Sequence, residues 1–220
     1  MHYVDIAIPI FDRLTALDAI GPYEVLSRLP GATVQFLAHE PGPVRTENGM
    51  LSLNADRMLE ELPSPEVIVV PGGIGTRVLL EDDRLRAWLR TGHESSEWTT
   101  SVCTGSLLLA AAGILDGLEA TTHWLAMDLL EQLGARPTSR RVVEQGKVMT
   151  AAGVSSGIDM ALVLADRIAG AEVAQAIQLA IEYDPEPPFD AGSEAKATQE
   201  VVDRVRRAQA REEESAATRP

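Results

Sequence analysis

Thr99-Thr100-Ser101-Val102-Cys103-Thr104-Gly105-Ser106-Leu107-Leu108-Leu109-Ala110-Ala111-Ala112 is the stretch on which the fold turns. Residues 99–102 read as a strand and 105–112 as a helix, so only Cys103 and Thr104 join the two. A strand that turns this abruptly into a helix holds the joining side chain up at a tight elbow, and the small Ser101 and Gly105 leave room for the turn. Such a unit belongs to a parallel sheet with helices on its faces.

The flanking sequence continues the pattern. Residues 4–10, 32–38 and 67–70 are short apolar runs of strand length, and 17–29 and 84–93 read as helices. Residues 120–122 form a brief strand before a helix that ends near Leu133. Two Ala-rich helices follow at 158–168 and 172–182. Asn48-Gly49, between Val44 and residues 51–53, predicts a two-residue hairpin turn, and Gln145-Gly146 predicts a second between 141–143 and 148–151. The strands are continuously apolar rather than alternating, which argues for burial on both faces. The prediction is an α/β domain, a three-layer sandwich with a mostly parallel sheet, over residues 1–193. Residues 184–190 (Asp-Pro-Glu-Pro-Pro-Phe-Asp) cannot be helical. Residues 194–220 read as a polar, Ala-rich arm, helical over 196–213 and frayed at its end.

Composition narrows the function. The 220 residues carry a formal net charge of −14, which repels phosphate backbones and argues against nucleic acid as a partner. One cysteine allows no internal disulfide and no Cys-based zinc cluster, and His2, His39 and His93 have no metal-ligand spacing, so no metal is expected. No GxGxxG or P-loop pattern occurs, so neither NAD nor ATP is expected, and no cofactor is required. No apolar run reaches the ~20 residues of a membrane span, and no leader is evident. The expectation is a cytoplasmic protein with a reduced thiol.

Ligands of open α/β sheets bind beyond the carboxyl ends of the strands. Residues 12–18, 71–73 and 103–105 lie at such ends. Cys103 reads as a nucleophile whose pKa a helix N-terminus would lower below ~8.5; the alternative is a buried structural cysteine. Asp18 reads as an acid/base, or as a carboxylate that merely caps its helix in Thr15-x-x-Asp18. The N–H groups of Gly72-Gly73 and of Thr104 are candidates for an oxyanion site, although Pro71-Gly72-Gly73 also suits a plain turn. His123, before Trp124, is either a partner for Cys103 or a packed histidine.

Together these segments resemble the ThiJ/PfpI superfamily. The resemblance runs through Leu17 to Pro22, Glu40 to Val44, Val70 to Gly73, Ser101 to Ser106, Ala120 to Trp124, Gly153 to Asp159 and Glu182 to Phe189. It implies a flavodoxin-like domain with a nucleophile elbow, and it is nearest to the branch that hydrates isocyanides. In that branch Cys103 matches the nucleophile and Asp18 the acid/base, where many other members carry Glu. Thr104 stands where the protease-like branch has His, and Gly153 and Val154 match a loop near the cysteine. Ile20 departs from the Thr of the hydratase branch before Gly21-Pro22. The resemblance implies an isocyanide substrate and a homodimer. It also admits three rivals: a redox-protective protein, an enzyme acting on glyoxals, and the sensing domain of a transcription regulator. The last would need a DNA-binding helical module, which residues 193–220 are too short and too acidic to supply.

Overall fold

The computed structural model describes residues 4–217 of the chain. These divide into two compact units between Glu182 and Tyr183, whereas the domain read from the sequence runs on to residue 193.

The first unit holds eleven strands and seven α-helices. In chain order the elements are β1 (Val4–Pro9), α1 (Ala16–Leu26), β2 (Ala32–Ala38), β3 (Gly42–Arg45), β4 (Ser52–Ala55), β5 (Arg57–Met58), β6 (Val67–Val70), α2 (Thr76–Leu79), α3 (Asp83–Ser95), β7 (Trp98–Val102) and α4 (Gly105–Ala111). There follow β8 (Glu119–Ala120), α5 (Met127–Gln132), β9 (Arg136–Pro137), β10 (Val142–Gln145), β11 (Val148–Ala151), α6 (Ser156–Ala169) and α7 (Ala171–Ala180). Short 3₁₀ turns occupy Leu59–Glu61 and Trp124–Ala126.

The main sheet has the order β10-β11-β7-β6-β1-β2-β5. All its neighbours are parallel except β10, which pairs antiparallel with β11 at one edge. Helices α1 and α6 pack together, as do α3 and α4. Strands β6 and β11 are buried at every position, and β1 at all but Asp5, as central strands covered on both faces must be. Apart from the two-residue β5, the sheet's parallel strands run in the order second, first, third, fourth, fifth, the flavodoxin-like arrangement. The carboxyl ends of β1, β6, β7 and β11 therefore open on one edge, with the switch point between β1 and β6.

Local chemistry sets several boundaries. Asp82 caps α3, accepting from the Leu85 N–H at 2.9 Å. The β10–β11 hairpin turns at Gly146-Lys147, one residue later than the sequence suggested, with Gly146 at φ +62°. The β3–β4 hairpin is not closed by a two-residue Asn-Gly turn. Thr46 N–H donates to Leu51 O, and Asn48 Oδ1 accepts from both Thr46 Oγ1 and Met50 N–H. The Asn48 side chain thereby organises a longer loop, as Asx residues do. Two strands escaped the sequence: β5, and β9, which pairs with β8 apart from the main sheet. Each has two residues, too few for any periodicity.

In the second unit, α8 (Gln199–Ala217) follows the irregular Pro-rich segment. Lys196 pairs with Asp190 at 2.6 Å and Arg206 with Glu194 at 2.6 Å.

Candidate active site

Cys103 sits between β7 and α4 at φ +56°, a left-handed conformation that a side chain with Cβ adopts only at a cost. The surrounding main-chain bonds over-determine it. Its N–H donates to Ala152 O at 2.8 Å and to Ala151 O at 3.1 Å. Its carbonyl accepts from Thr122 Oγ1 at 3.0 Å and Ser106 Oγ at 3.2 Å. A Cβ on Gly105 would collide with the Val70 carbonyl, so only glycine lets the elbow lie this close to β6. The side chain is buried, 5% exposed.

Asp18 arrives from α1 and is fully buried. Its Oδ2 accepts from the Gly72 N–H at 2.9 Å, its Oδ1 is buried without a hydrogen-bond partner among the described residues, and the neighbouring Cys103 thiol favours its charged form. The helix-capping alternative is not realised. Thr15 is the N-cap residue but makes no side-chain capping bond, and its N–H goes to Gly72 O at 2.9 Å rather than to Asp18. A Cβ on Gly72 would lie 2.5 Å from Thr104 N and 2.9 Å from Asp18 Oδ2, so the close approach of α1, the loop after β6 and the elbow at this point depends on that glycine.

The oxyanion role read for Gly73 needs correction, because its N–H donates to Thr104 Oγ1 at 2.9 Å. Thr104 Oγ1 also donates to Gly73 O at 3.2 Å, so Thr104 clasps the elbow to the β6 loop. The main-chain donors that reach the Cys103 sulfur are the N–H groups of Thr104 and Val154. Val154 lies between β11 and α6, which brings a fourth strand end into the site. Gly153 stands against His123: a Cβ there would be 2.9 Å from His123 Cδ2.

His123 caps the 3₁₀ turn after it. Its Nδ1 accepts from the Leu125 N–H at 3.4 Å, and its ring lies 6.0 Å from Trp124. Burial and the Arg77 cation hold its pKa below the ordinary histidine value. It is not among the groups acting on the Cys103 thiol. Ile20 is half-buried on α1. Two residues on from Asp18, it is rotated by about 200° around the helix and does not share the carboxylate's face. The supports missed by the sequence reading are Thr122 and Ser106, whose hydroxyls hold the Cys103 carbonyl, and Gly72 as the carboxylate's donor. The Thr-Thr pair ahead of His123 was the one available signal for the first.

Burial drives Asp18 upward, with Glu47 adding to the effect, while the Gly72 N–H and the Cys103 thiol oppose it; the carboxyl stands at about 7. Burial, followed by the Asp18 charge, also pushes the Cys103 thiol up, against the pull of the Val154 and Thr104 N–H groups. The lowered thiol pKa expected from a helix N-terminus is therefore not found. Helix α4 has only seven residues, and desolvation outweighs its dipole. Two acids in contact in a dry site titrate as a unit. Losing the first proton leaves one negative charge across the pair, and the second proton is held far more firmly. The singly charged pair can exist as thiolate and carboxylic acid, a nucleophile beside its own proton donor. Among the described residues no three His, Cys, Asp or Glu side chains group as a metal site, and no helix is long and apolar enough to cross a membrane.

The DJ-1/PfpI family profile matches residues 4–167. An isonitrile hydratase from Pseudomonas putida is 43% identical over 204 residues, 93% of this chain and 89% of that protein. The HTH-type transcriptional regulator CdhR of Pseudomonas aeruginosa is 30% identical over 76% of this chain, but the match spans only 50% of the regulator. Among solved structures, a ThiJ/PfpI family protein from Pseudomonas syringae superposes with a TM-score of 0.92 at 33% identity, covering 98% of this chain and 90% of that one. With its elbow cysteine, its parallel sheet and these relatives, the chain belongs to the DJ-1/PfpI family.

Proposed function

We propose that this protein hydrates isocyanides, converting R–N≡C and water to the N-substituted formamide R–NH–CHO. The observation that carries the reading is the buried contact between Cys103 and Asp18, with two N–H groups aimed at the sulfur. It is supported by the 43% identity to an isonitrile hydratase over nearly the whole chain.

In the proposed mechanism Cys103 is the nucleophile and Asp18 the acid/base. The thiolate attacks the terminal isocyanide carbon as Asp18 delivers its proton there, giving a thioimidate, R–N=CH–S–Cys103. Asp18, now a carboxylate, takes a proton from water while the hydroxide adds to carbon, and passes that proton to nitrogen. The hydroxyl proton then returns to Asp18 as the C–S bond breaks, which releases the formamide and restores the pair. The N–H groups of Val154 and Thr104 stabilise the sulfur anion when it forms and when it leaves. Thr104 positions the elbow, and Gly73 anchors Thr104. Gly153, Val154, His123 and Ile20 are assigned to the surroundings of the substrate. No step calls for a cofactor. The reading includes a cytoplasmic homodimer, for which light scattering of the purified chain is the test.

The deciding experiment measures formamide production from an alkyl and an aryl isocyanide beside turnover of methylglyoxal. Cys103-dependent formamide formation is the expected result. Methylglyoxal turnover without isocyanide hydration would overturn the reading in favour of a glyoxal-directed enzyme.

A further inference from the structure

The Cys103 carbonyl lies at the turn between β7 and α4. Among the described residues its donors are two hydroxyls and no main-chain N–H. Ser106, at 3.2 Å, is three residues on in α4, and a helical serine reaching back to that carbonyl is ordinary local bonding. Thr122, at 3.0 Å, comes from 19 residues away and is fully buried. Its segment is fixed on both sides. The Thr121 N–H donates to Thr150 Oγ1 on β11 at 2.9 Å, and the His123 ring stands against Gly153. The peptide unit so held joins Cys103, at φ +56°, to Thr104, and its other end is the Thr104 N–H that reaches the sulfur. A carbonyl that accepts two hydrogen bonds polarises its amide, so the N–H of the same peptide becomes a stronger donor.

We propose that Thr122 is a positioning residue that aims and polarises the Cys103–Thr104 peptide, so that the Thr104 N–H holds negative charge on the sulfur. The inference rests on the nucleophilic role proposed for Cys103 above. The singly charged Cys103–Asp18 pair keeps one proton, which can sit on the sulfur or on the carboxylate. A stronger donor at the sulfur shifts that proton toward Asp18, which gives the thiolate and the carboxylic acid that the first step uses. The same donor eases departure of the sulfur in the last step. Thr122 acts through that one peptide. A left-handed cysteine without this bond is freer to turn its carbonyl, and with it the next N–H, out of line.

The test uses Thr122→Val in the full chain, a substitution that keeps the shape and removes the hydroxyl. It follows Cys103 alkylation by iodoacetamide against pH, and the Thr104 amide proton shift by NMR. On the plateau above the limb at about 7, where the pair has lost its first proton, alkylation should slow. The fall should be roughly threefold, part of the lost thiolate being offset by the higher nucleophilicity of what remains. The midpoint of the limb should stay, because Thr122 divides the remaining proton and does not hold the first. The Thr104 amide proton should move upfield, as a weakened donor does, while the later amides of α4 keep their positions. Thr122→Ser should restore both readouts. Ser106→Ala should act in the same direction, so the outcome does not hang on the folding of one variant. An unchanged rate or an unmoved Thr104 amide in folded Thr122→Val would overturn the proposal. So would shifts spread through the whole of α4, or a loss that serine does not restore, which would make Thr122 a packing residue only. Neither measurement uses an isocyanide, so failure of the hydration assay and failure of the role for Thr122 are separate results.

Discussion

At the start of α3, Asp82 accepts from the Leu85 N–H at 2.9 Å, and the first turn has its cap. At the start of α1 stand Thr15 and, three residues on, Asp18, an equally suitable pair. Yet the Thr15 hydroxyl goes to Glu47 and the Asp18 carboxylate to Gly72. The same residue types serve helix stability in one place, whereas in the other they assemble a buried acid beside a thiol. The difference lies in what faces each helix: α1 starts at the sheet edge where β1, β6 and β7 all end. A helix start at such an edge gives up local capping when its side chains have a ligand site to build.

The largest effect predicted by this contrast is at the elbow. Cys103→Ala should reduce isocyanide turnover to background while the fold persists, because the elbow is held through the Cys103 main chain, by the Ala152 carbonyl and the Thr122 and Ser106 hydroxyls, and not by the sulfur. Circular dichroism and a thermal melt beside the activity assay check both halves. Loss of folding would return Cys103 to the buried structural reading.

Next comes Asp18→Asn, which keeps an acceptor for the Gly72 N–H and removes the titrating group. Turnover should fall by ~10²–10⁴, the usual worth of general acid–base catalysis. In the parent, kcat/KM should rise with pH through about 7 as the pair loses its first proton, and the variant should lose that limb. The same substitution should stabilise the protein, and the sign follows from linkage. A carboxyl raised above its unfolded pKa contributes fully below ~4, and that contribution is lost as pH rises through about 7. Asn has no charge to bury, so the variant's advantage should grow between pH ~4 and ~7 and reach on the order of a few kcal/mol above that. Melts at several pH values measure it. A constant offset would mean that Asp18 is not held protonated by burial.

Much of this was legible beforehand. The elbow was readable because a β-rich run, one cysteine and a Gly-led apolar helix leave few other geometries. The central strands were readable because sheet burial makes them uniformly apolar. The choice between capping box and buried acid for Asp18 was not, since Thr15-x-x-Asp18 fits either and only the Gly72 N–H, 54 residues away, decides it. Gly73 misled because a glycine after a strand signals close approach without saying which group approaches; here it is the Thr104 hydroxyl. The thiol's proton affinity was misjudged because a helix dipole can be inferred from local sequence, whereas desolvation and the charge of a residue 85 positions away cannot. The β3–β4 turn failed for a similar reason: Asn48 uses its side chain within the loop instead of completing a two-residue turn.

The smallest effects return to the two helix starts. Asp82→Ala removes a formed cap, and its side chain also pairs with His39 at 2.9 Å. It should cost ~1 kcal/mol of stability, the ordinary value for a lost N-cap. Thr15→Ala removes no capping bond, since none is made, and gives up only a contact with an exposed carboxylate. Its stability cost should be smaller, about a few tenths of a kcal/mol. Denaturant melts of the two variants, analysed at a common slope, make the comparison directly. Neither side chain touches the Cys103–Asp18 pair, so both variants should leave the pH–rate profile in place. Equal stability losses would mean that Thr15 caps α1 in solution after all, and the contrast between the two helix starts would then fail at the residue on which it rests.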